Sequence, residues 1–397
     1  MSNLNASFTH IELSKLSELF EKVYVFHELN NDLNFSFENI EIIQIKQPSS
    51  NEKLIFSLKK ITLITKIIFQ DLFSENTSIS YFRSIKPRTL SLVSNFFISE
   101  KISKEFKFDN NDFLYSFFSY DIALIPVGLK KIHPFLKFIT LTHQRDLYEE
   151  FEPKSFKLAF RKLIFSNANL ILSVSKDGVK YLKEKYPFFT SKFQCYYLGS
   201  KNNISTVLSK KRKSEDILIV SCGSCIERKS IHKIPKLILS IRNTYNINIK
   251  WIHFGENPSR TYHEFFTEIS KLENEDSISF EFKGQVSNEY IHSFYLNNEI
   301  SFLLSLSSGE GLPFSMIEAM SYGISVISTD IGGCREIINN ENLLLKKDFS
   351  EKDFIYCYEY LIKNSKEIKS LNFKNWKANF SYDKSKTSLS EILKNLN

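Results

Sequence analysis

No run of about 18 uncharged apolar residues occurs in this 397-residue chain, which excludes a spanning helix of ordinary length. The best candidate, Ile61 to Phe73, is short and carries Lys66 and Asp71. The opening stretch, MSNLNASFTH, is mostly polar and lacks a basic-then-apolar signal segment, so a cytoplasmic protein is expected. The 5 cysteines are irregularly spaced. They do not read as a disulfide framework, and they fit a reducing compartment. No HExxH and no paired CxxC zinc pattern is present, so no metal is expected. The absence of G-x-x-x-x-G-K-[ST] argues against a P-loop phosphotransferase. The absence of G-x-G-x-x-G after a strand argues against a dinucleotide oxidoreductase. No bound cofactor is expected.

What is present is a globular composition, 42% hydrophobic and 24% charged, with a formal net charge of +7. The charge is uneven. Residues 151–200 hold nine Lys/Arg, among them Arg161, Lys176 and Lys192, against the three acids Glu152, Asp177 and Glu184. Such a local excess can attract an anionic membrane surface or a phosphorylated substrate, and it is equally the pattern of solvated helix faces. No recognised motif accompanies it, so no nucleic-acid partner is expected.

The second half of the chain alternates short β-branched runs with helical spacing. Strands are expected at Asp216–Cys222, Ile249–Phe254, Ile278–Phe282, Ile300–Leu306 and Ile324–Ser328. Helices are expected at Lys229–Asn243, Tyr262–Leu272, Asn288–Leu296, Pro313–Tyr322, Cys334–Asn339 and Glu351–Ile362. That alternation implies a parallel sheet covered on both faces. The first half repeats the theme less cleanly. Helices are expected at Ile11–Lys22, Lys53–Phe73, Leu90–Phe106, Phe156–Ser166 and Lys176–Lys185, and strands at Val23–Phe26, Ile40–Ile45, Phe113–Phe117, Phe138–Leu141 and Leu170–Val174. The expected division is a first domain over 1–199, a Lys/Ser/Asn-rich hinge over 200–215, a second domain over 216–381, and a C-terminal helix over 382–397 crossing back to the first. The fold expected is α/β: two doubly wound, Rossmann-like domains facing across a cleft, with ligand at the carboxyl ends of the strands.

The stretch Gly309-Glu310-Gly311-Leu312-Pro313-Phe314-Ser315-Met316-Ile317-Glu318 carries the most chemistry. It follows a strand. Gly309 and Gly311 flank Glu310 and let backbone approach a ligand closely. Pro313 suits the first turn of a helix, where no N–H is needed. The amides of that turn favour an anion such as phosphate. Glu318 on the helix and Glu310 in the loop can each accept hydrogen bonds from hydroxyl groups. A nucleotide sugar, with a diphosphate between two hydroxyl-rich rings, fits this layout. Core packing by Met316, Ile317 and Met320, and a glutamate beside a helix start, are the ordinary structural alternatives.

The segment SSGEGLPFSMIEAMSYGISVISTDIGGCREII resembles the signature of the retaining glycosyltransferase family 4, of the GT-B fold. ILIVSCGSCIERKSI resembles that family's first strand and phosphate-binding loop in the donor domain, and WIHFGENP and FKGQVSNEYIHSFY its next two units. In the first half, THQRDLYEEFEP resembles the acceptor-domain loop that carries a His and an Asp. LILSVSKDGVKYLKEKYP and YYLGS resemble the segment leading to the hinge. The resemblance covers about residues 137–345.

By that resemblance Glu310 contacts the donor sugar, Glu318 binds the nucleotide ribose, and Gly311, Leu312 and Pro313 line the diphosphate. Lys229, assisted by Arg228, neutralises the leaving diphosphate. His143 stands near donor sugar and acceptor from the opposite domain, and Asp146 orients that loop or the acceptor. Gly284–Val286 is the expected surrounding of the nucleobase. The sequence departs from the family where relatives carry a further Arg or Lys: Gly223, Ser224 and Ser230 hold those places. It also departs at its start, where the usual first strand and glycine loop are replaced by a helical pattern. No Asp-x-Asp follows an apolar strand, which disfavours the metal-dependent GT-A class.

The expected partners are a nucleotide-sugar donor, a glycan or lipid-linked acceptor, and a membrane surface met through residues 151–200. The expected reaction is retaining sugar transfer in bacterial surface polysaccharide assembly (lipopolysaccharide or capsule), on the cytoplasmic side of the membrane. A non-hydrolysing nucleotide-sugar epimerase and a catalytically silent partner subunit are the rival readings. Cys222-Gly223-Ser224-Cys225 has redox-pair spacing but sits in the wrong topology for a thioredoxin fold. His133, His232, His253 and His292 are read as structural. The glycines of Ile331-Gly332-Gly333-Cys334 are read as a tight strand-to-helix turn.

Overall fold

The computed structural model describes residues 7–27, 37–74, 79–149, 159–202, 216–256, 258 and 262–396. The chain divides into two compact units. One comprises Glu12–Tyr196 with Ser388–Asn397, the other Tyr197–Thr387 with Ala6–Ile11. From residue 203 onward the expected hinge lies outside the described residues.

Helix α1 (Ser7–Leu19), which belongs to the first unit from Glu12 onward, leads to strands β1 (Val23–His27) and β2 (Ile40–Gln44), which pair in parallel as a two-stranded sheet. Helices α2 (Ser50–Lys59), α3 (Ile61–Ser74) and α4 (Ile79–Glu105) follow. A second, four-stranded parallel sheet runs in sequential order through β3 (Phe113–Ser116), β4 (Lys137–Thr142), β5 (Leu170–Ser173) and β6 (Phe193–Cys195). Helix α5 (Leu124–Ile132) connects β3 to β4, α6 (Arg161–Asn167) lies between β4 and β5, and α7 (Lys176–Lys185) follows β5. Among the described residues the first-half strands thus form two parallel sheets.

The single helix expected over Lys53–Phe73 is two. A capping box, in which the Ser49 hydroxyl and the Glu52 carboxylate each bond the other's backbone amide, starts α2. Lys60 leaves helical geometry and ends it. Helix α4 starts earlier than its periodicity suggests and carries Pro87 within it.

The second unit has a six-stranded sheet in the order β12-β11-β10-β7-β8-β9, every neighbouring pair parallel. Its strands are β7 (Ile217–Cys222), β8 (Ile249–Phe254), β9 (Ile278–Phe282), β10 (Phe302–Ser305), β11 (Val326–Thr329) and β12 (Leu344–Leu345). They alternate with helices α8 (Ile234–Tyr245), α9 (His263–Ser270), α10 (Asn288–Asn297), α11 (Phe314–Ser321), α12 (Cys334–Ile338), α13 (Glu351–Lys363) and α14 (Ser365–Asn375). Runs such as ILIVSC are apolar along their length because both faces of a parallel strand are covered, and Ile219, Val220, Trp251, Phe302 and Val326 are buried. The strand order builds outward from β7 in both directions. The topological switch point, where successive crossovers diverge, lies between β7 and its neighbour β10. The last helix, α15 (Tyr382–Lys394), spans the second unit's end and the first unit's C-terminal segment. Among the described residues, no helix is long and apolar enough to cross a membrane.

Candidate functional site

At the switch point the loop after β7 meets the loop after β10. The main chains lock first: the Ser308 amide donates to the Arg228 carbonyl at 2.8 Å. The Arg228 guanidinium donates back to the Gly309 carbonyl at 3.0 Å. Beside this lock, the Lys229 ammonium pairs with Glu310 Oε1. The Ser307 hydroxyl donates to the same oxygen at 2.6 Å. Glu310 is buried, while Lys229 keeps about a fifth of its side chain exposed (21%). A buried carboxylate needs such partners, because an unpaired charge removed from water is costly.

The loop after β11 fixes Glu310 from the other side. Gly332 has φ +48, and a Cβ there would lie 1.8 Å from the Glu310 carbonyl oxygen. The Gly333 amide donates to the Gly311 carbonyl at 2.9 Å. The turn read from the sequence as a generic one thus has a second requirement: only a residue without a side chain lets this backbone pass beneath Glu310. The Thr329 hydroxyl closes the arrangement on the Ser307 carbonyl at 2.6 Å.

Helix α11 begins at Phe314. Pro313, expected inside the first turn, is instead the extended N-cap residue (φ −71, ψ 106), and no side chain caps this start. The proline ring still costs nothing there, since a capping position needs no intrahelical N–H. Gly311 and Pro313 are buried and Leu312 packs partly against the core. Glu318, a turn further on, is buried. His292 Nε2 on α10 stands 3.7 Å from Glu318 Oε1, and His292 Nδ1 bonds the Tyr322 hydroxyl at 2.7 Å. Burial lowers the His292 pKa. The sequence offered no partner for His292; a residue from another strand–helix unit supplies it.

Behind the β7 loop, His253 on β8 is wholly buried. Its Nδ1 bonds the Ser221 hydroxyl at 2.8 Å and its Nε2 the Cys225 thiol at 3.3 Å. Burial pushes the ring down to about 4, so it is neutral at ordinary pH. Burial also pushes the Cys222 thiol up to about 12 and Cys225 up to about 11. Both are free thiols, and this burial disfavours the thiolate that a redox nucleophile needs. Gly284, after β9, takes φ +67 with open space where a Cβ would stand. Among the described residues no group of three His, Cys, Asp or Glu could hold a metal ion.

In the first unit, His143 leaves the carboxyl end of β4 packed between Phe117 and Phe118, ring centroids 4.8 and 4.9 Å away. Its Nε2 lies 3.0 Å from the Phe117 carbonyl. A carbonyl only accepts, so Nε2 carries the proton and Nδ1 is the acceptor of the neutral ring. Burial lowers this ring to about 4. Asp146 is fully buried. Its carboxylate accepts the His143 amide at 2.6 Å and the Ser119 amide. It therefore ties the β3 and β4 loops together through main chain. Burial raises its pKa to about 7, against the opposing effect of those amides and of Arg161.

The basic segment is partly spent inside the fold. Arg161 is buried, donates to the Asp146 and Leu147 carbonyls, and lies over the rings of Phe165 and Tyr186. The Lys192 ammonium satisfies the carbonyls of Phe165, Ser166 and Ala168 at the end of α6. Lys185 pairs with Glu149 at 3.2 Å. Lys154 and Lys157 lie outside the described residues.

Residues 205–375 match the family model of glycosyl transferases group 1. The match falls in the second unit and contains Arg228, Lys229, Glu310 and Glu318. Protein CapJ of Staphylococcus aureus is 25% identical over 231 residues, 54% of this chain and 54% of that protein. The chain thus spans about half the length of this curated relative. The O-antigen biosynthesis glycosyltransferase WbnH of Escherichia coli is 36% identical over 75 residues, 19% of this chain and 20% of that one. The crystal structure of HepE from Anabaena in complex with UDP superposes with a TM-score of 0.65 at 12% identity, covering 100% of this chain and 98% of that one. That likeness is one of fold: α/β with parallel sheets, as in GT-B glycosyltransferases.

Proposed function

We propose that the protein transfers a sugar from a nucleotide diphosphate sugar to a hydroxyl group of a glycan acceptor, with retention of anomeric configuration. The observation that carries this reading is the meeting of Lys229 with Glu310 at the β7/β10 switch point, beside the start of α11. A cation and a helix start favour a diphosphate there, and two buried carboxylates are suited to sugar hydroxyls. The family match over this unit and the UDP held by HepE support the donor class.

In this reading Lys229 and the first amides of α11 neutralise the departing diphosphate, aided by the Gly311-Leu312-Pro313 backbone. Glu310 orients the donor sugar and Glu318 the ribose. Arg228 acts through the Gly309 carbonyl, as a positioning residue. The acceptor oxygen bonds to the anomeric carbon as the carbon–phosphate oxygen bond breaks on the same face, and the acceptor's proton passes to the departing phosphate. His143 serves the acceptor side, and Asp146 holds the His143 amide. The O-antigen biosynthesis named for WbnH supports a bacterial surface glycan as acceptor; in this reading that glycan is lipid-linked and met on the cytoplasmic face of the membrane.

The test is turnover with UDP-, GDP- and ADP-sugars, each with and without a lipid-linked glycan, read by mass spectrometry and by NMR of the anomeric centre. Acceptor-dependent release of nucleoside diphosphate with the donor's configuration kept is expected. An isomerised nucleotide sugar formed without acceptor would make the protein an epimerase. Binding without turnover on any acceptor would make it a silent subunit.

A further inference from the structure

Helices α2 and α3 are apolar on two faces. Their inner stripe, Phe56, Ile64 and Ile67, is buried in the first unit's core. Their outer stripe should be polar in a helix that meets only water. Instead Leu54 is 60% exposed, Ile55 54%, Leu58 63% and Ile61 56%, and Phe69 further along α3 is exposed as well. Leu54, Ile55 and Leu58 share one side of α2, and Ile61 opens α3 directly after the break at Lys60. Single exposed apolar residues are ordinary on protein surfaces. Several side by side on consecutive helices mark a surface that meets something other than water.

The charge on this stripe identifies the partner's chemistry. Lys59 and Lys66 are exposed among the apolar residues. The acids of α2 and α3 are Glu52 and Asp71. Glu52 is committed to the Ser49 cap, and Asp71 is buried against Arg88 at 3.1 Å. The outer face therefore offers apolar side chains and ammonium groups with no uncommitted carboxylate. A second copy of the same face would set lysines against lysines. An anionic lipid surface satisfies both features: apolar side chains enter the acyl boundary and ammonium groups meet headgroup phosphates.

We infer that α2 and α3 dock the first unit on an anionic membrane surface, and that this face, rather than the basic segment 151–200, is the membrane contact. Within 151–200 the one large hydrophobic with high exposure among the described residues is Phe188, and Arg161, Lys185 and Lys192 are engaged as described above. The inference deepens the lipid-linked acceptor of the proposed function. Vesicle binding is read without sugar transfer, so the two ideas fail separately.

The test is flotation of the full chain with vesicles of phosphatidylcholine alone or with three tenths phosphatidylglycerol, at low and high salt. Binding to the anionic vesicles is expected, weakened by salt as screening requires. Leu58→Glu with Ile61→Glu should reduce it by about tenfold or more. Lys59→Ser with Lys66→Ser should remove most of the salt dependence. These positions are exposed, and circular dichroism checks that each variant folds. Lys180→Ser with Lys183→Ser on α7, the control for the basic segment, should change little. No binding of the wild type at low salt overturns the inference, as does binding indifferent to the α2–α3 variants. A wild-type dimer in sedimentation that Leu58→Glu with Ile61→Glu turns monomeric overturns it too, because the face would then be a self-interface.

Discussion

The Lys229 ammonium and the Glu310 carboxylate lie 81 residues apart in the chain and form an ion pair between the loops that diverge from β7 and β10. Each charge neutralises the other. In the proposed reaction both must turn outward, Lys229 to the diphosphate and Glu310 to sugar hydroxyls. Donor binding therefore competes with this pair.

That competition separates the two residues. Glu310→Gln frees the ammonium, so affinity for a bare nucleoside diphosphate should hold or rise a few-fold, while turnover falls by about a hundredfold or more. Lys229→Met should weaken both, and it leaves a buried carboxylate with a hydroxyl partner alone, at a stability cost of about 1–3 kcal/mol. Calorimetric titration with the diphosphate and steady-state rates distinguish them. Equal loss of diphosphate affinity in both variants contradicts the competition.

Gly332→Ala tests the support beneath Glu310. Its Cβ would collide with backbone oxygen, which has no flexible end to yield, at a left-handed position that already disfavours alanine. A loss of about 2–4 kcal/mol in thermal unfolding is expected from overpacking and strain together. Donor affinity should fall with it. Gly284→Ala, with the same sign of φ but open space, should cost only the strain, about 1 kcal/mol.

The buried histidine behind the β7 loop predicts an acid limb. The His253 pKa falls from 6.5 to about 4 in the fold. The folded state thus disfavours the proton, and the stability of the neutral ring is present above the ordinary value and lost as pH falls through about 4. That loss amounts to roughly 3 kcal/mol between pH 7 and 4. His253→Gln should flatten this part of the stability-against-pH curve, leaving the parallel contribution of His143, also lowered to about 4. Denaturant midpoints at pH 7, 5.5 and 4 give the comparison.

Asp146 has the opposite sign. With its carboxyl raised to about 7, the folded state favours the proton. Its stabilising contribution is present below the ordinary carboxylate range and is lost as pH rises through about 7. Asp146→Asn should remove the decline in stability between pH 5 and 8. Loosening of the His143 amide should appear as a lower kcat with KM for the donor little changed, the mark of a positioning residue rather than a donor ligand.

Much of this was legible in the sequence because the strands of the second unit are buried on both faces. Ile249–Phe254 and Ile278–Phe282 stand where their β-branched and aromatic runs begin and end. Helix α5 is not among the helices expected from the sequence, and it contains Pro126 and Gly128, residue types that weaken a helical pattern. The proline sits in the first turn, where its missing amide costs nothing, and a Cβ on Gly128 would meet the Ser99 side chain of α4 at 2.3 Å. Helix α14 was hidden by a mostly polar sequence that buries only Ile368, Asn372 and Phe373. In the site, Glu310 and Lys229 were readable from motif and loop position. Gly332 beneath Glu310, His292 beside Glu318 and the bonds of His253 were not, because each depends on which loops the parallel sheet places side by side.

The most direct measurement is calorimetric binding of UDP-, GDP- and ADP-sugars to the wild-type chain, to Glu310→Ala and to Glu318→Ala. The proposed donor site predicts one preferred donor for the wild type and at least about a tenfold loss of affinity in each variant, equivalent to roughly 1.4 kcal/mol. A wild type that binds none of the three donors, or variants that bind as the wild type does, would contradict it.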